Sequence, residues 1–258
     1  MNQNIWVKKR KNLNINECYF YHTTQLPNHG LIKGEWDLRG NEKKYLGEVD
    51  VNGKRVLEIG TASGCLCFFM EQNGAEVVAY DLSDKDDWDI VPYSKMDNAK
   101  IISERKQKIL KLNNSFWITH EALRSKAKAI YGTVYNIPKE IGMFDICTMG
   151  SILLHLRDPF LALQKASSFT KKTIIITDIV SKYKGKILLG VEAIPSMKMM
   201  RFIPNASKME PFETWWEMSP KLISEFLKIL GFNQIKTSYH YQTYLNKKVK
   251  LYTIVANR

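Results

Sequence analysis

The feature that most constrains this chain is an apolar segment that runs directly into a turn containing two glycines. Residues 56–64 read Val-Leu-Glu-Ile-Gly-Thr-Ala-Ser-Gly, which predicts a buried strand followed by a tight loop. Gly60 and Gly64 lack a Cβ, so the loop backbone can approach a bound molecule closely. A second apolar segment ends at Asp81, 21 residues after Gly60. A carboxylate at that spacing is placed to accept hydrogen bonds from ribose hydroxyls, which predicts a nucleoside-binding crevice.

The acid at the end of the first strand, Glu58, narrows the choice of ligand. In a dinucleotide site the pyrophosphate lies at the N-terminus of the next helix, where a nearby carboxylate repels it. S-adenosylmethionine has no phosphate and carries a cationic sulfonium and ammonium, so an acid is favourable there. The alternative is a generic Rossmann-like turn that binds NAD or no ligand.

On these residues the chain resembles the class I S-adenosylmethionine-dependent methyltransferases. Their first motif is an acid, any residue and Gly-x-Gly-x-Gly, and residues 58–64 match it except that Ala62 replaces the middle glycine. The resemblance implies an α/β Rossmann-like fold with a mostly parallel seven-stranded sheet, a C-terminal antiparallel hairpin and an inserted cap. It also implies S-adenosylmethionine as cofactor and S-adenosylhomocysteine as product. The predicted cofactor-binding residues of this half are Glu58, Gly60, Thr61, Ala62, Ser63, Gly64, Asp81 and Leu82.

Strand and helix signals alternate along residues 50–258, which predicts a mostly parallel sheet with helices on both faces. Strands are expected at residues 55–59, 76–80, 129–131, 144–149 and 173–178, and helices at 65–72, 102–112, 159–168 and 220–230. Residues 233–240 and 249–255 predict the terminal hairpin. We interpret residues 1–49 as a lead-in that covers the cofactor site and residues 50–258 as the methyltransferase domain.

Residues 180–217 interrupt this alternation after the fifth strand, where ligands meet the carboxyl edge of an open sheet. We interpret the segment as a cap over the substrate, with a surface elaboration or a dimer interface as the alternative. The oligomeric state stays open between monomer and homodimer. The basic residues of the segment that can balance an anionic substrate are Lys182, Lys184, Lys186, Lys198 and Arg201.

Further site residues follow from the family resemblance. The loop after the third strand would hold the adenine through Gly132, Thr133 and Val134. The end of the fourth strand would flank the sulfonium through Met149, Gly150 and Ser151. In the lead-in, Arg39 is placed to pair with the methionine carboxylate. Trp36 either covers the cofactor or packs at the edge of the sheet.

His155 follows the end of the fourth strand and is the candidate catalytic residue. An imidazole titrates near neutrality and can accept a proton from a substrate hydroxyl. The alternative is a histidine that fixes the turn by bonding to its backbone. Methyl transfer to a phosphate or carboxylate would need no base.

The net charge of +12 raises the question of a nucleic-acid substrate. Lysines number 30 and arginines 8, whereas phosphate and base recognition relies more on arginine. The chain nevertheless resembles a subgroup near the enzymes that modify wobble uridine in tRNA. The segments that carry this resemblance are residues 36–39, 57–64, 144–145, 153–159 and the Trp215-Trp216 pair. We expect O-methylation of a small anionic or sugar-like metabolite, with a tRNA-modifying methyltransferase as the alternative. A protein that binds the cofactor without catalysis is a third interpretation.

Several features of other protein classes are missing from the sequence. No apolar run approaches the length of a membrane span, and the N-terminus lacks the apolar stretch of a secretory signal. The four cysteines show neither disulfide-framework nor zinc spacing. Asp145 and Asp178 are expected at opposite ends of neighbouring strands, so we predict no metal. The expected location is the cytoplasm.

Overall fold

The alternating signals fold into one eight-stranded sheet with apolar cores on both faces. The computed structural model describes residues 5–180 and 197–258. The first part of the predicted cap, with Lys182, Lys184 and Lys186, lies outside the described residues.

The elements are numbered in chain order. The strands are β1 Thr24–Leu26, β2 Gly30–Ile32, β3 Trp36–Asp37, β4 Arg55–Ile59, β5 Glu76–Asp81, β6 Lys128–Tyr131, β7 Phe144–Gly150, β8 Thr170–Ile179, β9 Met200–Phe202, β10 Trp216–Met218, β11 Gln234–Tyr244 and β12 Lys247–Asn257. The α-helices are α1 Glu42–Tyr45, α2 Cys65–Gln72, α3 Asn98–Ala122, α4 Pro159–Ser168 and α5 Pro220–Ile229. Short 3-10 turns occur at Ile15–Glu17, Val134–Asn136, Lys139–Ile141 and Leu153–His155.

The strand order of the main sheet is β3-β11-β12-β8-β7-β4-β5-β6. Strands β4 to β8 pair in parallel, and the β11–β12 hairpin joins β8 antiparallel. The predicted fold class is thus confirmed. The expected seven strands become eight because Trp36–Asp37 of the lead-in pairs with the end of β11 and adds an edge strand.

The two faces of the sheet bury separate apolar clusters because successive strand residues point to opposite sides. In β4, Leu57 packs in the cluster that contains α4 and α5, and Val56 packs in the cluster that contains α2 and α3. The second cluster also contains Trp36, Leu38 and Leu46 from the lead-in. The lead-in therefore shares the core of the sheet.

Helices α4 and α5 begin where their sequences predict, at a proline that follows a capping residue. The Asp158 side chain accepts a hydrogen bond from the backbone N–H of Leu161, and Ser219 accepts one from Leu222. These capping bonds fix the first turns of α4 and α5.

The prediction for α3 was wrong in extent, since the helix spans Asn98–Ala122 rather than residues 102–112. Its second half buries polar side chains, which hides the apolar periodicity. Asn114 donates to the carbonyl of Glu17, and Ser115 donates to the carbonyl of Tyr19. These bonds fasten the lead-in to α3. Neither α3 nor any other helix in the described part of the chain is long and apolar enough to cross a membrane.

Candidate functional site

The glycine turn after β4 is held against the end of β5. The N–H of Gly60 donates to the carbonyl of Tyr80 at 2.7 Å. Gly60 has a φ of 81°, and a Cβ there would lie 2.0 Å from Cδ1 of Ile152. Gly64 precedes α2 with a φ of 86°. Both positions therefore favour glycine for conformational reasons, as the sequence predicts.

Asp81 binds the same turn with both carboxylate oxygens. Its Oδ2 accepts the N–H of Ala62 at 2.6 Å, and its Oδ1 accepts the N–H of Leu82 at 2.7 Å. Each oxygen has a second lone pair, so each can accept one more donor. Desolvation raises the pKa of Asp81 to about 6, against the opposing effect of the two backbone bonds. The carboxyl is therefore well placed for a ligand that supplies hydrogen-bond donors.

Glu58 lies beneath the turn and is 4% exposed. Its carboxylate accepts a hydrogen bond from the Thr61 hydroxyl at 2.6 Å. Burial, together with the neighbouring charge of Asp81, raises the pKa of Glu58 to about 7 against the opposing effect of the Thr61 hydrogen bond. Two desolvated carboxyls so close together are stabilised as anions by a nearby cation.

Two residues that are not glycine adopt left-handed backbone conformations at the ends of neighbouring strands. Ala62, after β4, has a φ of 49°, and Ser151, after β7, has a φ of 51°. Such conformations cost energy and are concentrated at functional sites. The replacement of the middle motif glycine by Ala62 therefore keeps the shape of the turn at a local energetic cost.

The end of β7 is enclosed by Tyr45 from α1. The Oη of Tyr45 lies 3.4 Å from the Oγ of Ser151, and a Cβ on Gly150 would lie 2.7 Å from the same Oη. Gly150 and Ser151 are partly exposed, whereas the Met149 side chain is fully buried in the core. Of the three predicted residues, Gly150 and Ser151 thus remain accessible at the sheet edge.

The predicted adenine loop lies directly beside Asp81. The N–H of Gly132 donates to the Asp81 carbonyl at 2.9 Å. The carbonyl of Thr133 accepts a hydrogen bond from the Tyr80 hydroxyl at 2.9 Å. Val134 is buried in the core cluster. The structure therefore brings this loop and the glycine turn to the same end of β5.

His155 forms a hydrogen bond to the described part of the cap. Its Nδ1 donates to the carbonyl of Glu213, which leaves Nε2 as the nitrogen with a free lone pair. Desolvation lowers the pKa of His155 to about 4, and the Arg105 cation contributes in the same direction. The imidazole is therefore neutral near pH 7 and a weak base.

The two lead-in candidates lie at the β11 edge. Trp36 is buried, packs against Tyr244 in a tilted arrangement with the ring centroids 4.7 Å apart, and donates from Nε1 to the Tyr21 hydroxyl. In strand order β3 is five positions from β4, which matches the expected sheet-edge alternative. Arg39 is exposed and forms a salt bridge with Asp37 at 2.8 Å. Its predicted pairing with a cofactor carboxylate stays a prediction.

Three contacts at this site come from residues that the sequence analysis did not single out. The backbone N–H of His22 donates to the Oγ of Ser63 at 3.1 Å, within the glycine turn. Asn113 of α3 donates to the Leu82 carbonyl, and Tyr45 reaches Ser151 as described above. The aromatic stretch at residues 19–22 of the lead-in is the sequence signal that points to His22. No local sequence pattern indicates a role for Asn113 or Tyr45.

The described part of the cap docks on the loop between β5 and α3. The N–H of Val91 donates to the carbonyl of Phe212, and Trp215 donates from Nε1 to the carbonyl of Asp89. The N–H of Trp215 also donates to the carbonyl of Leu154, beside His155. This part of the cap therefore lies against the carboxyl side of β5 and β7.

Two of the cap cations that the sequence analysis named, Lys198 and Arg201, lie in the described residues and are paired with acids. Lys198 lies 2.8 Å from a Glu225 carboxylate oxygen, and Arg201 forms an ion pair with Glu217. Across residues 5–180 and 197–258, no group of three or more His, Cys, Asp or Glu side chains is placed to hold a metal ion.

Comparison with solved structures shows the fold of the chain. No family model and no curated protein matches the chain. The N-terminal domain of EvdMO1, crystallised in the presence of S-adenosylhomocysteine and D-fucose, matches with a TM-score of 0.53 at 14% identity, over 94% of this chain and 92% of that chain. An O-methyltransferase family protein from Burkholderia thailandensis matches with a TM-score of 0.50 at 10% identity, over 84% of this chain and 56% of that chain.

A third structure is the 1,6-didemethyltoxoflavin-N1-methyltransferase of Burkholderia thailandensis, with 1,6-didemethyltoxoflavin and S-adenosylhomocysteine bound. It matches with a TM-score of 0.50 at 11% identity, over 86% of this chain and 77% of that chain. At such identities the likeness establishes the fold, and the strand order and terminal hairpin agree with it. The chain has the Rossmann-like fold of the class I S-adenosylmethionine-dependent methyltransferases.

Proposed function

We propose that this protein is an S-adenosylmethionine-dependent methyltransferase that acts on an oxygen atom of a small metabolite. The observation that carries the proposal is the closed contact between Asp81 and the glycine turn, with buried Glu58 beneath it. This contact brings together a carboxylate that can bind ribose hydroxyls, a turn whose backbone a ligand can approach closely, and an acid that favours a cationic group. A pyrophosphate ligand would meet two buried carboxyls instead.

The residues present fit this cofactor. The positive φ of Gly60 gives the turn the tight conformation that the motif requires, and the carboxylate oxygens of Asp81 retain lone pairs for ribose hydroxyls. When bound, S-adenosylmethionine supplies an electrophilic methyl group on a positively charged sulfur. The proposed binding residues are Glu58, Gly60, Thr61, Ala62, Ser63, Gly64, Asp81, Leu82, Gly132, Thr133, Val134, Gly150, Ser151 and Arg39. The predicted residues Trp36 and Met149 are buried in the apolar cores and are left out of the proposal.

The acceptor site would lie between the end of β7 and the cap. Trp215 joins the cap to the Leu153–His155 turn, and His155 points Nδ1 away from any substrate toward Glu213. We therefore assign His155 to contact with the acceptor through Nε2. Catalysis would depend mainly on holding the acceptor oxygen in line with the methyl group, so that binding has already met the entropic cost.

A small-molecule acceptor agrees with two of the compared proteins, whose structures are described with D-fucose and with 1,6-didemethyltoxoflavin. The alternative is a tRNA-modifying enzyme of the wobble-uridine type, favoured by the net charge of +12. The described cap cations Lys198 and Arg201 are paired with acids rather than arranged as an open basic groove. This pairing favours the small molecule.

Calorimetry with S-adenosylmethionine, S-adenosylhomocysteine and NAD tests the cofactor assignment. We expect the first two to bind and NAD not to bind. Tight binding of NAD alone would contradict the proposal. Methyl incorporation from labelled S-adenosylmethionine into small acceptors and into bulk tRNA then distinguishes the two substrate classes.

A further inference from the structure

We propose that Asp178 accepts the proton from the acceptor, and that the acceptor is a neutral hydroxyl compound of the sugar type rather than an anion. The inference rests on the proposed function and narrows its substrate class. It assigns a role to a buried acid at the carboxyl edge of the sheet that the cofactor contacts described above do not use.

The register of the sheet places Asp178 beside the methyl-transfer end of β7. Gly150 pairs with Thr177, and the N–H of Ser151 donates to the Thr177 carbonyl at 2.7 Å. The next residue along β8, Asp178, therefore lies next to Ser151. Its Oδ1 accepts the N–H of Ile179 at 2.7 Å. The other carboxylate oxygen of Asp178, Oδ2, forms no hydrogen bond with a described residue.

The groups around Asp178 are acids and phenols. Tyr252 of β12 lies opposite Asp178 in the register, and its hydroxyl donates to the carbonyl of Met218. Tyr21 and Tyr45 of the lead-in and Glu217 of β10 are the other titratable groups whose charges interact with Asp178. In the part of the chain that the structure describes, no Lys or Arg forms an ion pair with it.

Burial and the charge of Glu217 raise the pKa of Asp178 to about 7. A carboxyl that titrates near neutrality is populated as the anion and binds a proton well, which is the balance that a general base needs. His155, with a pKa of about 4, is far weaker as a base. Asp178 is thus the better proton acceptor of the two.

The same surroundings select the charge of the acceptor. A buried carboxylate accepts hydrogen bonds from hydroxyls and repels an anion, because no described cation lies against it. Two described cations of the cap, Lys198 and Arg201, are held by Glu225 and Glu217. A neutral compound with several hydroxyls therefore suits this edge better than a phosphate or carboxylate.

The step balances without a further reagent. The acceptor oxygen forms a bond to the methyl carbon as the sulfur–methyl bond breaks. The electron pair of that bond returns to sulfur and yields neutral S-adenosylhomocysteine. The hydroxyl proton passes to the Asp178 carboxylate, which later releases it to water.

The first test is a titration that needs no acceptor. Infrared spectra of the protonated carboxyl band across neutral pH compare the wild-type protein with Asp178→Asn. We expect the wild-type spectrum to contain one more carboxyl that titrates near pH 7 than the spectrum of the variant, which retains the Glu58 band in the same pH range. Glu58 and Asp81 titrate in both proteins and serve as internal references. Identical spectra would overturn the assignment.

The second test compares matched acceptors. Labelled S-adenosylmethionine is incubated with D-fucose, D-galactose and D-glucose, and with galacturonate and glucuronate as their acidic counterparts. We expect transfer to a neutral sugar and at least about tenfold less to the acids. Preference for an acid, or transfer to none of them by a protein that binds S-adenosylmethionine, would overturn the substrate class. Failure to bind S-adenosylmethionine would instead overturn the proposed function.

Comparing turnover with cofactor affinity in Asp178 variants distinguishes a catalytic role of Asp178 from a structural one. Asp178→Asn should lower turnover by about 10²- to 10⁴-fold and leave S-adenosylmethionine affinity unchanged. Asp178→Glu should restore part of the rate and keep a pH-dependent rise through neutrality. The matched control is Asp145→Asn, an acid at the opposite end of β7 that bonds to the Arg55 N–H, and it should retain full turnover. Equal loss in both variants, or none in Asp178→Asn, would refute the role.

Discussion

Replacement of Asp81 tests the cofactor site most directly. The wild-type carboxylate accepts two backbone N–H groups, from Ala62 at 2.6 Å and Leu82 at 2.7 Å, and has lone pairs left for the ribose. Asp81→Ala removes all of these acceptors. Asp81→Asn keeps one acceptor oxygen, but its amide group faces one of the two N–H donors and cannot accept from it.

The expected loss of affinity follows from the contacts. A hydrogen bond to a charged group contributes about 1.5–3 kcal/mol, and each 1.4 kcal/mol changes the dissociation constant about tenfold. Asp81→Ala should therefore weaken S-adenosylmethionine binding by about 10- to 100-fold. Asp81→Asn should fall between this variant and the wild type, because one acceptor survives.

Calorimetry measures the affinity, and amide hydrogen exchange measures the turn. In Asp81→Ala the N–H of Ala62 loses its acceptor, so its exchange should become faster while the core strands stay protected. The control is Asp86→Asn, since Asp86 accepts hydrogen bonds from Ser83 and does not touch the glycine turn. Unchanged affinity in a folded Asp81→Ala variant would refute the ribose assignment. Equal weakening in the control would trace the effect to the loop as a whole.

Four further outcomes are expected. Glu58→Gln should become more stable than the wild type as pH rises from about 4.5 to about 7, because the raised pKa makes ionisation of Glu58 unfavourable in the folded state. Urea unfolding should show a difference in unfolding free energy on the order of 3 kcal/mol between the two proteins at the upper end of this range. A gain in stability that is already present at low pH would contradict this. His155→Ala should lower turnover by about tenfold with an unchanged pH profile, and a larger loss that removes the neutral pH limb would make His155 the base. Gly60→Ala should abolish S-adenosylmethionine binding and lower Tm, since its Cβ would meet Ile152 at 2.0 Å. Bulk tRNA should bind weakly, and tight, steeply salt-dependent binding with methyl incorporation into RNA would favour the tRNA alternative.

The central strands and three of the helices could be predicted because local chemistry determines them. β4 reads as an apolar run that ends at Gly60, so its bounds were predicted at Arg55–Ile59 as observed. α2 and α4 were predicted over their observed residues, and α4 begins at a proline that its sequence marks. α5 was predicted one residue too long, since helix ends are the least determined part.

The second half of α3 could not be predicted from periodicity. Its buried face includes Asn113, Asn114 and Ser115, whose side-chain donors bond to backbone carbonyls distant in sequence. Hydrophobic periodicity assigns such polar residues to the exposed face of a helix. Only the presence of the lead-in and of the loop after β5 makes their burial favourable, because each buried donor then has an acceptor.

Some residues of the candidate site could likewise be predicted from local sequence, and others could not. Gly60 and Asp81 could be found because the chain's own spacing brings one strand end beside another. Tyr45 reaches Ser151 across 106 positions of sequence, and Asp178 lies beside Ser151 only through the pairing of β7 with β8. The acid itself was visible in the sequence, but its raised pKa depends on burial and on the charge of Glu217, which separate elements bring around it. The cofactor half of the site is thus local in sequence, and the acceptor half is made by tertiary packing, so the substrate has to be inferred from the structure.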